Sequence, residues 1–299
     1  MNNKTNSYVS LHIAVFLYGF TGILGQVIAL SALHLILWRC VISSLLLAPF
    51  FFYKQLYKDL NRTSILIFSG IGILLGLHWL CFYGSIKMAN SSVAMICLSF
   101  ISVMTVFSEA LFNKQKIVKQ DLLIGMMVIP GILLINQSLN PNFKLGFWLG
   151  ILCSVLSAIV ATLNKKYIKT ANPISITWIE ITVVGIVSGL MTWIGILFFP
   201  TTISNEIPTN SDWSYLLILS IFCTLIPLIL VIKSMQSLSA FSTMLVFNLE
   251  TVYGIILSIV ILHEHKQLNG LFYLGVLIIL SSVFAYPFIR KRSKVSKLF

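Results

Sequence analysis

The sequence predicts an all-α polytopic membrane protein: ten transmembrane helices in two inverted five-helix repeats, with both termini cytoplasmic. Ten apolar stretches, each about long enough to cross a bilayer, follow one another with short polar breaks. Hydrophobic residues make up 58% of the 299-residue chain and charged residues only 9%, against roughly 25% charged residues in a soluble domain. The runs are continuous and about twice the ~10 residues of a membrane β-strand, so helices are expected rather than a barrel.

The ten spans take their limits from the apolar runs and from residues that suit helix ends. Asn90 and Asn210 offer N-cap oxygens, and Pro173 suits a first helical turn. Pro130 and Pro227 lie inside spans and should kink them. In chain order the predicted spans are Tyr8–Ile28, Leu33–Tyr53, Ser64–Ile86, Ser92–Phe112, Leu122–Ser138, Leu145–Asn164, Pro173–Phe199, Trp213–Gln236, Phe241–Leu262 and Gly270–Ile289.

Positive charge is distributed unevenly between the connecting segments. With a cytoplasmic N-terminus, the cytoplasmic segments carry 16 Lys or Arg residues, and the opposite side carries only Lys87, Lys144 and Lys266. Short loops rich in Lys and Arg stay in the cytoplasm, which predicts that both termini are cytoplasmic. The net charge of +12 is interpreted as a topology signal and as attraction to anionic membrane lipids. No nucleic-acid partner is expected.

Motifs for cofactors, metals or catalysis are missing from the sequence. It has no nucleotide-binding loop, no Ser/His/Asp constellation on an exposed turn and no metal-ligand spacing. Glu264 stands between His263 and His265, but residues two apart on a helix do not share a face. We therefore expect no cofactor, no metal and no enzymatic activity. The five cysteines all lie in apolar runs and are interpreted as small buried hydrophobes: Cys40, Cys81, Cys97, Cys153 and Cys223.

The two halves of the chain resemble each other at an offset of about 150 residues. Residues 84–92 parallel residues 233–241, and Arg39 parallels Glu180. Five helices are an odd number, so the second half must enter the membrane from the opposite side. This predicts an inverted repeat with a substrate site near mid-membrane. The predicted repeats are residues 1–138 and 139–299, which form one membrane domain and end in a basic cytoplasmic tail.

Charged side chains inside a membrane cost at least ~2.5–3.5 kcal/mol each, so each one needs a reason. Glu250 falls near the midplane and is a candidate for proton coupling or for binding a substrate ammonium group. Arg39 and Glu180 are expected in opposite halves of the membrane, ~11 Å apart in depth, which argues against a direct salt bridge. The alternative is structural: a neutral carboxyl, or an assembly contact with Arg39.

Polar and aromatic residues supply the other candidate substrate contacts. The fourth span repeats hydroxyl residues every three or four positions, and this stripe, with Ser99 and Ser102, is expected to line a pathway while Ile101 faces away. Hydroxyl residues can instead serve close helix packing. His78 is a candidate polar group in the third span. Aromatic residues near the same depth could form a pocket: Tyr18, Trp79, Tyr83, Trp178 and Tyr253.

Short motifs occur in both halves: Tyr18-Gly19-Phe20, Trp38-Arg39, residues 83–90, and Asn248-Leu249-Glu250-Thr251-Val252-Tyr253-Gly254. With them the chain resembles the drug/metabolite transporter superfamily, specifically its ten-helix EamA-type branch, over essentially its full length. Members usually have Pro where this chain has Thr251. The resemblance implies a central cavity enclosed by helices one to four and six to nine, with helices five and ten peripheral. It also makes Asn248 a candidate site residue.

These observations favour a secondary transporter that works by alternating access in the cytoplasmic (inner) membrane. The expected cargo is a small organic metabolite, an amino acid or related amphipathic compound, moved outward, with protons as a candidate coupling ion. One alternative is uptake or exchange of a nucleotide-like metabolite, for which Arg39 would be the only basic group. A lipid-modifying enzyme or a structural membrane subunit is the other. The expected partners are the solute and membrane lipids, and the protein is expected to be a monomer or homodimer.

Overall fold

The structure is a computed structural model that describes residues 3–199 and 205–281. These residues form helices and contain no strand, which confirms the all-α class. Within them, nine helices are long and apolar enough to cross a membrane, and a shorter apolar helix follows. They are α1 (Lys4–Val27), α2 (Ala32–Tyr53), α3 (Arg62–Met88), α4 (Ser91–Asn113), α5 (Lys119–Gln137), α6 (Pro141–Thr170), α7 (Pro173–Phe198), α8 (Asn210–Met235), α9 (Ala240–Leu262) and α10 (Gly270–Ser281).

Helix ends differ from the predicted spans where polar residues begin a helix. α8 starts at Asn210, before the predicted Trp213, because Thr209 caps it. The Thr209 hydroxyl accepts a hydrogen bond from the Asp212 N–H, and the Asp212 carboxylate accepts one from the Thr209 N–H. The spacing of apolar residues in the sequence does not indicate such a capping turn. The end of the predicted tenth span and the basic tail, residues 282–299, lie outside the described residues.

The crossing helices α1 and α4 are each interrupted near their middle. α1 breaks at Gly19-Phe20 and α4 at Ser99-Phe100. Gly19 is also required for packing, because a Cβ at this position would lie 2.8 Å from the Cβ of Tyr253. Interrupted backbone at membrane depth is tolerated only where protein or a water-filled cavity surrounds it. Both breaks therefore mark the inside of the bundle.

Pro130 and Pro227 disturb their helices, as predicted. α5 is interrupted at Met127, and α8 contains a wider π-helical turn at Ile221–Leu225. A proline has no N–H for the carbonyl four residues earlier, and its ring crowds that carbonyl. For Pro227 this carbonyl belongs to Cys223, inside the π-helical turn. The Cys223 carbonyl is thereby free to accept a hydrogen bond from another helix.

The helices pack as two interlocked repeats, with α1 to α5 as mates of α6 to α10. The major contacts recur when mates are exchanged: α3 packs on α6 as α8 packs on α1, and α4 packs on α6 as α9 packs on α1. In the contacting pairs α2–α7 and α4–α9, the two helices are each other's mates, so the exchange leaves these pairs unchanged. α5 meets α10 where a Cβ on Gly131 would lie 2.6 Å from the Gly275 carbonyl oxygen. This exchange symmetry is what two structural repeats produce, and the odd number of helices in each repeat makes the pair inverted.

At each end of the bundle, a carboxylate accepts hydrogen bonds from the start of a helix. We call the end at which α1 begins the N-terminal face and the other end the distal face. On the distal face, the buried Glu264 accepts hydrogen bonds from the first two N–H groups of α4. On the N-terminal face, Glu109 accepts hydrogen bonds from the first two N–H groups of α9. Each carboxylate also meets the positive end of a helix dipole.

Candidate functional site

A central cavity of about 90 Å³ lies among α1, α2, α3, α4, α6, α8 and α9. It runs from Arg39 and Glu250, deep in the bundle, to Asn164 and Met235 near the N-terminal face. No described residue of α5, α7 or α10 lines it, so α7 does not join the wall that the resemblance implied. Most of the wall consists of Leu, Ile, Val, Met and Phe side chains around a few polar groups, as in small-molecule sites generally.

Arg39 is the most firmly held charge in the cavity wall. Its side chain is fully buried, and the guanidinium carbon lies 4.1 Å from the centre of the Trp79 ring. Nε donates to the Thr224 hydroxyl at 2.5 Å, Nη1 to the Tyr83 hydroxyl at 2.5 Å, and Nη2 to the Cys223 carbonyl at 2.8 Å. A guanidinium has five N–H donors, so these bonds fix the group and leave two donors for a ligand.

Glu250 shares the cavity with Arg39 and is almost wholly buried. The opposite charges attract each other, yet they do not form an ion pair. Among the described residues, the one His, Lys or Arg side chain within ion-pair distance of a carboxylate is His34, whose Nδ1 atom lies 3.6 Å from Glu206 on the distal face. Among the described residues, the cavity wall therefore carries one guanidinium and one carboxyl that do not form an ion pair with each other.

Three more of the predicted candidates line the cavity: Tyr18, His78 and Trp79. The Tyr18 ring packs against Phe247 with centroids 5.6 Å apart. The Nδ1 atom of His78 lies 2.9 Å from the Cys153 carbonyl oxygen, so it carries a proton and donates to that oxygen. A neutral imidazole held in this way presents Nε2 as an acceptor.

Tyr83, Trp178 and Tyr253 lie outside the cavity wall. Tyr83 is fully buried behind Arg39 and supports it through its hydroxyl. Trp178 stacks on Phe51 with centroids 4.3 Å apart, and its indole N–H donates to the Ser44 carbonyl, so it joins α7 to α2. Tyr253 packs edge-on against the ring of Phe16 on α1. These three aromatic residues act in packing, not as a pocket.

The hydroxyl stripe of α4 does not line the cavity, contrary to expectation. Ser99 and Ser102 are fully buried and donate to carbonyls of their own helix, those of Ile96 and Ser99. Asn248 of α9 contacts Ser102 at 3.4 Å, so the stripe packs against α9. The side chains that α4 contributes to the cavity are apolar: Leu98 and Ile101.

Glu180 lies outside the cavity wall, on α7. It is fully buried, and neither carboxyl oxygen has a hydrogen-bond partner. The Asn164 amide faces the carboxyl, but the two groups do not have the geometry of a hydrogen bond. Because Asn164 lines the cavity, it is the polar residue between Glu180 and that space.

Sequence reasoning missed the groups that fix Arg39 and one polar residue of the wall. Thr224, the Cys223 carbonyl and Asn164 are uncharged groups in apolar helices, which composition does not distinguish from packing groups. One signal was present. Pro227 stands four residues after Cys223, which predicts a free carbonyl there and hence an acceptor for a buried donor.

Comparisons with known proteins agree with this architecture. A model of the EamA-like transporter family matches residues 6–137 and, a second time, residues 144–286. A crystal structure of a protein that is 12% identical superposes with a TM-score of 0.70, over 96% of this chain and 98% of the other. At that identity the likeness shows the fold alone. No curated protein matches the sequence.

Proposed function

Because the chain belongs to the EamA-like transporter family, we propose that it is a secondary transporter that moves an amino acid or a related amphipathic metabolite outward by alternating access. It is a multi-pass membrane protein of a family of small-molecule transporters. The proposal adds the substrate class, the direction and the membrane, which is the cytoplasmic (inner) one.

One observation carries the substrate class: among the described residues that line it, the cavity holds a single guanidinium and a single carboxyl in a mostly apolar wall. An amino acid has a carboxylate for the two unused donors of Arg39 and an ammonium group for Glu250. Its side chain would meet the apolar wall near Leu228 and Met244. Charge-assisted hydrogen bonds are stronger in a site without bulk water, so both ends of such a ligand contribute to its binding.

The outward direction is supported by where the cavity reaches and where the bundle is closed. The cavity extends to Met235 near the N-terminal face, which the charge distribution predicts to be cytoplasmic. On the distal face, Asp212 accepts from the Ala29 N–H at 3.0 Å, and Lys87 donates to the Ile28 carbonyl at 2.6 Å. A cytosolic solute could thus load while the outer side is held closed.

The other functional classes find less support in the cavity. A nucleotide-like solute carries several phosphate charges, but among the described cavity residues Arg39 is the only Lys or Arg. An enzyme would need an acid and a base at hydrogen-bonding distance around a bound substrate, and Arg39 and Glu250 stand apart on the wall. A transporter of a small amphipathic solute needs only a binding cavity with these two groups on its wall.

Reconstituted liposomes test the proposal. Vesicles loaded with unlabelled amino acids are expected to take up the labelled compound by exchange. Glu250→Gln should lower the apparent affinity at least tenfold, about 1.4 kcal/mol, since it removes the charge that faces the ammonium group. Asp59→Asn, on an exposed carboxyl between α2 and α3, is the matched control and should behave like the wild type.

Two results would overturn the substrate proposal. One is a wild-type protein that exchanges no amino acid while it exchanges nucleotides. The other is a Glu250→Gln protein whose affinity for amino acids equals that of the wild type.

A further inference from the structure

We infer that Glu180 is a proton-binding site, distinct from the two charges of the cavity, and that its proton is the coupling ion of transport. The coupling part rests on the proposed function; the proton site itself does not. Proton binding here is the reversible step between a neutral carboxylic acid and a carboxylate, with the proton exchanged with water in the cavity.

Burial without partners requires that Glu180 holds a proton in this conformation. The side chain is fully buried, and both carboxyl oxygens lack a hydrogen bond. An ionised carboxylate without a partner in a low-dielectric interior is far more costly than the neutral acid. Burial disfavours the ionised form of Glu250 as well, but there the positive charge of Arg39 in the same cavity opposes the effect of burial. The two buried carboxyls therefore have different environments and are suited to different tasks.

No charged group on the neighbouring helices compensates Glu180. α7 packs on α2, α3 and α8, and no Lys, Arg or His of the described residues interacts with the carboxyl. Arg39 of α2 is engaged by Tyr83 and Thr224, and His78 of α3 by the Cys153 carbonyl. Lys233 of α8 is exposed.

On the other helices nearby, Lys165 of α6 donates to the Met235 carbonyl. The Tyr18 phenol of α1 interacts with Glu180, but it is uncharged at neutral pH. On α3, Gly72 packs against the backbone of Glu180, because a Cβ on Gly72 would lie 3.0 Å from the Glu180 carbonyl oxygen. Among the described residues, no positive charge in this surrounding stabilises an ionised carboxylate, and the Asn164 amide is the one polar group that faces it.

Asn164 gives the proton a route to the cavity. It faces Glu180 from α6 and also lines the cavity near the N-terminal face, and its own Oδ1 atom has no hydrogen-bond partner. Thr177, one turn before Glu180 on α7, likewise carries a buried hydroxyl without a partner. Buried polar groups are normally satisfied, so such a group of unpartnered atoms marks a place where water or a proton enters in part of the cycle.

Infrared spectroscopy of the purified wild-type protein tests the proton site without any substrate. At neutral pH the wild type is expected to show the C=O stretch of a protonated carboxyl that Glu180→Gln lacks, and alkaline titration should remove this signal. Asp59→Asn, which changes an exposed carboxyl, should retain it. A Glu180→Gln protein with an unchanged signal would overturn the proposal. Glutamine has the shape of the neutral acid, so the variant is expected to fold, and an unchanged unfolding temperature verifies this.

Transport measurements test the coupling. In liposomes without a pH gradient, the Glu180→Gln protein should exchange amino acids as the wild type does. With a pH gradient, it should accumulate at least tenfold less amino acid than the wild type. Retained gradient-driven accumulation, or loss of exchange in a folded variant, would refute coupling through Glu180. If the wild-type protein exchanges no amino acid, the proposed substrate fails, whereas the infrared result alone decides the proton site.

Discussion

At the scale of single residues, the fixed position of Arg39 is the main feature of the site. Three hydrogen bonds and the Trp79 ring hold the guanidinium, so little side-chain entropy remains to be lost when a ligand binds. A lysine could not reproduce this arrangement, because its ammonium group is a point charge without a planar fork.

Tyr83→Phe is predicted to lower the free energy of unfolding by about 1.5–3 kcal/mol, because it removes a buried hydrogen bond to a charged group and leaves one Arg39 donor unpaired. Denaturation of the detergent-solubilised protein measures the change. Tyr53→Phe is the control, since Tyr53 is 81% exposed, and should change stability by less than about 0.5 kcal/mol. Equal losses in both variants would show that the Tyr83 hydroxyl does not support Arg39.

Sequence reasoning identified charged residues of the cavity more reliably than uncharged ones. Arg39 and Glu250 stood out because charges are rare in membrane helices, and both line the cavity. Ser99 and Asn164 carry no such signal. A buried hydroxyl can satisfy itself on its own helix, as Ser99 does, whereas an amide needs an outside partner, and the sequence does not show which case applies.

At the scale of helices, the hydroxyl face of α4 meets α9 and not the cavity. This holds on both sides of the break at Ser99-Phe100, because Thr251 of α9 donates to the Met95 carbonyl and Asn248 of α9 to the Ser102 hydroxyl. The sequence predicted the helix and its polar face, but a polar face can meet either a water-filled pathway or another helix. The sequence alone does not distinguish these two cases.

Cysteine labelling at adjacent positions of α4 tests this assignment. In a variant without the native cysteines, Ile101→Cys should react with a small membrane-impermeant thiol reagent, and saturating substrate should slow the reaction, because Ile101 lines the cavity. Ser102→Cys should react at least tenfold more slowly, because Ser102 is packed against α9. If Ser102→Cys reacted faster than Ile101→Cys, the hydroxyl stripe and not the face with Ile101 would line the pathway.

At the scale of the whole molecule, composition and repeat counting predicted the fold class that the structure and the family match confirm. Ten apolar runs have few ways to fold in a bilayer, which is why so coarse a signal is sufficient. Capping turns and the helix breaks depend on individual hydrogen bonds and close contacts, and these were predicted less well. The orientation in the membrane stays a prediction from the lysines and arginines of the loops.

Reporter fusions test the orientation. A reporter placed after Asn113 or after Phe299 should be active in the cytoplasm, and one placed after Ser204 on the opposite side, because the segments rich in Lys and Arg remain inside. Two reporter types with opposite compartment requirements provide the control for each position. A reversal at any of the three sites would contradict the assignment, and reversal at all three would make the cavity reach toward the outside.

The exchange symmetry of the helix contacts has an energetic consequence. Swapping the roles of the two halves turns a bundle that opens at one end into a bundle that opens at the other, with the same set of helix pairs in contact. The backbone architecture alone therefore makes the two forms nearly degenerate, and only differences between the two half-sequences separate their energies. A substitution that changes one half by about 1.4 kcal/mol would tilt the ratio of the forms tenfold. In such a protein, single substitutions can change the ratio of the two forms in the absence of substrate without changing the fold.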